Sequence, residues 1–247
     1  MLNILKHKIK IFFSIFARAR TSYKKFYISH QPDSYALNGA HQDFPLLAKS
    51  FCRDNQFNNS GDLSRLWFLM LNLKKLIEDD IPGDFAELGV WKGNTAYVFA
   101  YFASKSQRTV HLFDTFSGFS ESDLTGVDSD KAVAFVDTSV KSVSALVGDD
   151  LLSYCQFAIG HFPGTIEARH DRKYAAVSLD CDLYEPTLAG LEFFYPRLSN
   201  GGLMFHHDYS SLCWNGSKKA IDEFCMKNDL HVILMPDKSG TAILRKH

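Results

Sequence analysis

From residue 84 onward, short apolar runs alternate with helical stretches, and this alternation restricts the fold more than any other feature. Runs at 84–88, 109–113, 155–159, 175–180 and 202–206 read as buried strands. The stretches 94–104, roughly 130–150, 186–198 and 216–227 read as the helices between them. Strands joined through helices run parallel and are covered on both faces. The ending breaks the pattern. His231-Val232-Ile233-Leu234-Met235 and Thr241-Ala242-Ile243-Leu244 flank Pro236-Asp237-Lys238-Ser239-Gly240, which predicts an antiparallel hairpin. The expected fold is α/β, a three-layer sandwich around a Rossmann-like sheet of seven mostly parallel strands.

Ahead of this region, Ser64, Leu66, Trp67, Leu69, Met70, Leu73, Leu76 and Ile77 recur at helical spacing, and Ile81-Pro82-Gly83 stops that helix. Residues 31–65, rich in Asn, Asp, Gln and Ser, read as loops and short helices. The expected division is a basic helix over 1–30, a lid or loop region over 31–63 and one α/β domain over 64–247. A chain of 247 residues, 46% of them hydrophobic, can bury one sizeable core. Disorder and a disulfide miniprotein are excluded.

Charge is unevenly spread. Lys6, Lys8, Lys10, Arg18, Arg20, Lys24 and Lys25 give the first 32 residues +7, and the remaining 215 residues carry −8. An acidic body argues against bulk nucleic-acid binding, which needs a basic face. In the arm, Leu2, Leu5, Ile9, Phe12 and Phe16 share one helical face, and Lys6, Lys10, Ser14 and Arg18 share another. Two placements fit: a helix docked on the body or a second subunit, and a helix lying through residues 1–25 on an anionic membrane surface. The apolar run 11–17 is too short to span a bilayer, and arginines follow it where a signal peptide would be cleaved. Cys52, Cys155, Cys181, Cys213 and Cys225 form no C-x-x-C pair and read as reduced thiols of a cytoplasmic protein.

The sharpest local pattern, Glu87-Leu88-Gly89-Val90-Trp91-Lys92-Gly93-Asn94-Thr95, follows the first strand. Ligands of parallel sheets bind beyond the strand C-termini. Glycines there admit a ligand close to the backbone, and the next helix begins with free N–H groups. The spacing is Glu-x-Gly-x-x-x-Gly, not the Gly-x-Gly-x-x-Gly of dinucleotide sites, and Asn94 stands where a phosphate-binding loop needs lysine. An acid here repels a pyrophosphate but suits a ligand with a cationic centre and an amino-acid portion. Asp114, ending the second strand, is placed to accept both hydroxyls of a ribose. Either acid alone is more often a cap or a solvating side chain. Together they suggest a nucleoside without phosphates.

A second constellation joins two more strand ends. Ser178-Leu179-Asp180-Cys181-Asp182-Leu183-Tyr184 ends the fourth, and Phe205-His206-His207-Asp208-Tyr209 ends the fifth. Neighbouring strands would bring Asp180, Asp182, His207 and Asp208 together. Three carboxylates in one cleft repel one another unless a cation neutralises them or one stays protonated. Oxygen donors with one imidazole suit Mg²⁺, Mn²⁺ or another divalent ion.

In order and spacing, these motifs resemble the macrocin-type O-methyltransferases, a family of metal-dependent sugar methyltransferases with the class I fold that binds S-adenosylmethionine. The likeness runs over roughly 64–245. It is carried by 82–90, 112–119, Gly160-His161-Phe162-Pro163-Gly164-Thr165-Ile166, 179–187, Tyr195-Pro196-Arg197-Leu198 with Gly201-Gly202, and 216–224. It implies that Glu87, Gly89, Gly93, Asn94 and Thr95 border S-adenosylmethionine, that Asp114 holds its ribose, and that Gly160 and His161 border its adenine. It further implies that Asp180, His207 and Asp208 hold a divalent metal, that Asp182 is the general base, and that the chain forms a homodimer. The family's third motif usually reads Asp-Asp-Tyr. Here it reads His207-Asp208-Tyr209, which removes one negative charge, adds a nitrogen donor and favours a transition metal over Mg²⁺. The expected acceptor is a saccharide or a glycosylated small molecule, bound by loops within 31–62, 118–130 and 209–216. Trp214 and Tyr184 are candidates to stack on a sugar ring. Two other classes compete: a nicotinamide-dependent oxidoreductase, opposed by the missing glycine motif, and a non-catalytic member of the same fold, kept open by His207.

Overall fold

A computed structural model describes residues 40–166 and 171–247. The basic helix expected over 1–30, its membrane-surface placement and the first part of the 31–63 region lie outside the described residues. Three helices lead in: α1 (Ala40–Cys52), α2 (Gln56–Asn59) and α3 (Leu63–Glu78). Then follow β1 (Asp84–Leu88), α4 (Asn94–Ser106), β2 (Val110–Asp114), α5 (Val140–Val147), α6 (Asp149–Leu152) and β3 (Cys155–Ile159). The chain continues through β4 (Tyr174–Leu179), α7 (Tyr184–Arg197), β5 (Leu198–His206), α8 (Asn215–Asn228), β6 (Ile233–Leu234) and β7 (Ala242–Arg245).

The seven strands form one sheet in the order β3-β2-β1-β4-β5-β7-β6. The first five run parallel, and β7 pairs antiparallel with both β5 and β6. The expected sheet and terminal hairpin are both present. One face is covered by α4, with α1 and α3 packed beside it, and the other by α7 and α8. Burial explains the strand sequences. All six residues of central β4 are buried, so its run is apolar without alternation. β3 lies at the edge and exposes Gln156 and Ile159. On the α7 side Phe113, Phe162, Tyr174, Phe193 and Phe194 form a continuous ring cluster.

Two boundaries differ from expectation. Where 31–65 read as loops and short helices, residues 40–52 form a 13-residue helix. The helix expected from about residue 130 starts at Val140, because Ser139 and Ser142 form a reciprocal cap there. Residues 130–139 form neither helix nor strand.

The chain leaves β1 toward β2 and later returns to β4 on the other side, so the crevice opens between the ends of β1 and β4. The two ends touch through backbone. The Asp180 amide donates to the Leu88 carbonyl at 2.9 Å, and Gly89, at φ +88°, lies against the Asp180 carbonyl. A Cβ on Gly89 would stand 2.0 Å from that oxygen. Gly89→Ala therefore combines a backbone clash with a left-handed conformation, and urea unfolding should show a loss of about 3 kcal/mol or more. A loss below about 1 kcal/mol would mean that the strand ends move apart freely.

His206, the last residue of β5, is fully buried, and neither ring nitrogen has a partner among the described residues. Burial lowers its pKa to about 3 from an ordinary 6.5. The ring is neutral in the fold but takes a proton in the unfolded chain below pH 6.5. Stability is thus complete above 6.5 and falls as pH drops toward 3. Between pH 7.5 and 5 the unfolding free energy should fall by about 2 kcal/mol more than in His206→Phe. Equal falls in the two proteins would remove His206 as a source of acid sensitivity.

Candidate active site

The crevice is a cavity of about 380 Å³, within the size range of small-molecule sites. The ends of β1, β2, β4 and β5 form its floor. Of the twelve residues singled out from the sequence, eleven line it: Glu87, Gly89, Asn94, Thr95, Asp114, Gly160, His161, Asp180, Asp182, His207 and Asp208. Gly93 does not. It caps α4 at φ +81°, and a Cβ there would meet Val143 of α5 at 2.7 Å, so its smallness serves helix packing.

On the β1 and β2 side, Glu87 is 1% exposed and its Oε2 has no hydrogen-bond partner. Burial, reinforced by Asp180, pushes its carboxyl well above the usual range. Asp114 organises the loop above it. One carboxylate oxygen accepts the amides of Val90 (2.7 Å) and Trp91 (2.9 Å), and the other accepts the amide of Phe116 (2.6 Å). Its expected ribose contact would have to share an oxygen that already serves the loop. Asn94 and Thr95 also have protein partners. Asn94 donates to the carbonyls of Ser50 (3.1 Å) and Arg53 (2.7 Å), and Thr95 Oγ1 accepts from Arg65 (3.3 Å). Both tie the first turn of α4 to the N-terminal helices. His161 Nε2 lies 2.9 Å from both carboxylate oxygens of Asp123, anchoring the Gly160 loop to the segment after β2.

On the β4 and β5 side the four chemical residues meet as expected. His207 Nδ1 lies 3.0 Å from Asp180 Oδ1 and 2.6 Å from Asp208 Oδ2. One ligand atom from each of Asp180, His207 and Asp208 falls within 4.8 Å of the others. Burial and Arg65 disfavour a charged His207 ring, but the two carboxylates outweigh them and push its pKa up to about 10. Asp182 is 7% exposed. Burial and the charges of Asp180 and Asp208 raise its carboxyl well above the usual range. Burial also raises Asp208, but hydrogen bonding to His207 outweighs it and keeps Asp208 low. The two carboxyls therefore shift in opposite directions, Asp182 up and Asp208 down. Asp182 (φ +63°) and Asp208 (φ +60°) both have left-handed backbone, a conformation that aspartate tolerates and that turns each carboxyl off its strand.

Sequence reasoning missed three contributors. Arg65, on α3, places Nη1 3.6 Å from Asp180 Oδ2. It heads a stripe with Leu69, Leu73 and Leu76, and a charge on an apolar face was the available signal. The β6–β7 turn also reaches the cavity through Lys238 and Ser239, and the Lys238 amide donates to Asp62 Oδ1 at 3.0 Å. Finally, Phe135 joins Trp91, Phe119 and Trp214 in a wall of rings, with neighbouring centroids 5.1–5.9 Å apart. Tyr184 is not on the cavity wall. Its hydroxyl donates to Glu223 at 2.6 Å on the outer side of α7 and α8.

Comparison with known proteins agrees with this geometry. The family model described as macrocin-O-methyltransferase matches residues 15–243, reaching further toward the N-terminus than the 64–245 resemblance. Demethyldecarbamoylnovobiocin O-methyltransferase of Streptomyces niveus is 30% identical over 174 residues, 64% of this chain and just under two thirds (66%) of that enzyme. Mycinamicin III 3''-O-methyltransferase of Micromonospora griseorubida is 28% identical over 202 residues, 74% of this chain and 72% of that enzyme. The solved structure of the O-methyltransferase NovP superposes with a TM-score of 0.70 at 24% identity, covering 84% of this chain and 99% of that one, which shows the shared fold. The chain belongs to the macrocin-O-methyltransferase family, whose members are S-adenosylmethionine-dependent O-methyltransferases.

Proposed function

We propose that this chain transfers the methyl group of S-adenosylmethionine to a hydroxyl of a sugar on a small secondary metabolite, assisted by a divalent metal. The observation that carries this reading is one shared cavity. The Glu87–Gly89 loop, suited to a cationic amino-acid nucleoside, faces the same space as Asp180, Asp182, His207 and Asp208. The named activities of the Streptomyces niveus and Micromonospora griseorubida enzymes support the acceptor class.

The donor set fits a divalent ion. Two carboxylates and one imidazole nitrogen converge, with a third carboxylate, Asp182, beside them. Asp180, His207 and Asp208 would hold the metal, which when bound lowers the pKa of an acceptor hydroxyl. Asp182 takes the hydroxyl proton. Its raised proton affinity suits a base working near neutral pH, once a cation offsets the neighbouring carboxylates. The methyl on sulfur is already activated, so alignment of oxygen, methyl and sulfur is the remaining task. Trp91, Phe119, Phe135 and Trp214 offer an apolar wall against which the acceptor's rings can lie. A homodimer, a cytoplasmic location and contact of residues 1–25 with the inner membrane surface are further parts of this proposal.

The His207 geometry favours a second reading as well, in which the protonated Nδ1, shared by Asp180 and Asp208, occupies the cation position and transfer needs no metal. Methyl transfer that is indifferent to EDTA would select it.

Asp182→Asn should lower turnover by about 10²- to 10⁴-fold, with S-adenosylhomocysteine affinity unchanged within threefold by calorimetry. Turnover equal to wild type would remove Asp182 as base. A further expectation concerns the metal. His207 must lose a proton before it can ligate, so metal binding should tighten between pH 7 and pH 9. In His207→Asp that pH dependence should flatten and Mg²⁺ affinity should rise about tenfold relative to Mn²⁺. Calorimetric titrations with both ions at both pH values measure this, and an unchanged ratio would mean that His207 is not a ligand.

A further inference from the structure

Two buried groups of opposite charge face the cavity without the hydrogen-bond partners their chemistry calls for. Arg65 is 8% exposed, and a guanidinium carries five N–H donors. Among the described residues its side chain makes one hydrogen bond, from Nη2 to Thr95 Oγ1 at 3.3 Å. Its ion pairs are longer than hydrogen bonds: 3.6 Å from Nη1 to Asp180 and 3.7 Å from Nε to Asp62. Nε has no hydrogen-bond acceptor. Glu87 is 1% exposed, and its Oε2 has no donor. Both side chains line the cavity beside the Gly89 loop, and among the described residues no ion pair joins them.

Leaving such groups unsatisfied in a dry site costs free energy, and a ligand that satisfies both removes that cost. The fork of a guanidinium matches a carboxylate. A carboxylate accepts from an ammonium. A ligand that answers both carries an anion and a cation a few bonds apart, as an α-amino acid does. A phosphate would satisfy Arg65 but would be repelled by Glu87 and Asp180. A simple amine would leave Arg65 bare.

We propose that Arg65 binds the α-carboxylate of the cofactor's amino-acid end while Glu87 accepts from its ammonium. This rests on the S-adenosylmethionine reading above and adds α3, a helix ahead of the first strand, to the cofactor site. Thr95 holds the guanidinium from below, so the first turn of α4 and the fork of Arg65 present one surface to the ligand. Lysine could supply charge there but not the paired donors.

The test uses the full chain and three probes in calorimetry: S-adenosylhomocysteine, its decarboxylated counterpart S-adenosyl-3-thiopropylamine, and methylthioadenosine. Wild type should bind S-adenosylhomocysteine about tenfold or more tightly than the decarboxylated probe. Arg65→Gln should reduce that preference to below about threefold while binding methylthioadenosine like wild type. A merely structural role for Arg65 would weaken all three probes together, and that result would overturn the proposal. So would a preference that survives in Arg65→Gln, or a wild type that lacks it. Should Arg65→Gln fail to fold, Arg65→Lys takes its place, with an intermediate preference expected and a full one overturning. Wild type that binds none of the three probes would overturn the methyltransferase reading itself, and this one with it. That outcome is distinct from tight binding without preference, which removes Arg65 alone.

Discussion

The site depends on the backbone contact between the ends of β1 and β4. Neighbouring parallel strands normally diverge where their chains leave in opposite directions, and ligands bind in that divergence. Here the divergence begins one residue after a contact so close that only glycine fits, with Gly89 against the Asp180 carbonyl. Glu87 and Asp180, the leading residues of the two chemical clusters, therefore sit within two positions of the same fixed point. A shift of either strand would separate the loop suited to a cationic nucleoside from the acids suited to a metal. The left-handed backbone of Asp182 and Asp208 continues the same constraint, because each residue must turn sharply as its strand ends.

The second organising force is charge compensation. Glu87, Asp114, Asp180, Asp182 and Asp208 line one cavity, and five ionised carboxylates there would repel strongly. Each is relieved differently. Asp114 accepts three backbone amides. Burial raises the proton affinity of Glu87 and Asp182. Asp180 and Asp208 both meet Nδ1 of His207, and Asp180 also lies near Arg65. The acidic balance of the body is thus partly a property of this cavity. An aspartate at position 207 would add a sixth carboxylate needing relief, and histidine supplies the relief itself.

How much of this was legible depended on how local the cause was. The parallel strands were legible because two-sided burial leaves an unbroken apolar run, and β4 is the clearest case. The acids and His207 were legible because a strand end fixes where its next two residues go. The true start of α5 at Val140 was set by a serine cap that the apolar pattern does not register. The cavity roles of Phe135 and Lys238 follow from chain returning over the sheet after long separations, and no short motif encodes such a path. Asn94 and Thr95 show the reverse case. Their position was legible but their hydrogen bonds were not, because the partners lie about 30 to 44 residues earlier in the chain.

Those partners also decide what kind of element the N-terminal region is. A lid opens because few buried contacts hold it. Residues 40–78 are held otherwise. Asn94 joins α4 to the end of α1, and Arg65 reaches Thr95 and Asp180 from α3. Phe44 stacks on Trp67 at 4.2 Å, and buried Asp62 accepts the Lys238 amide from the β6–β7 turn. Opening this segment would expose several polar pairs and an aromatic stack at once. Residues 115–139 border the same cavity with only two short 3₁₀ turns, and Val127, Val133 and Val136 are left exposed. The N-terminal helices are therefore a fixed wall of the cavity, and the segment after β2, though irregular, is tied to it at Asp123, Asp128 and Asp137.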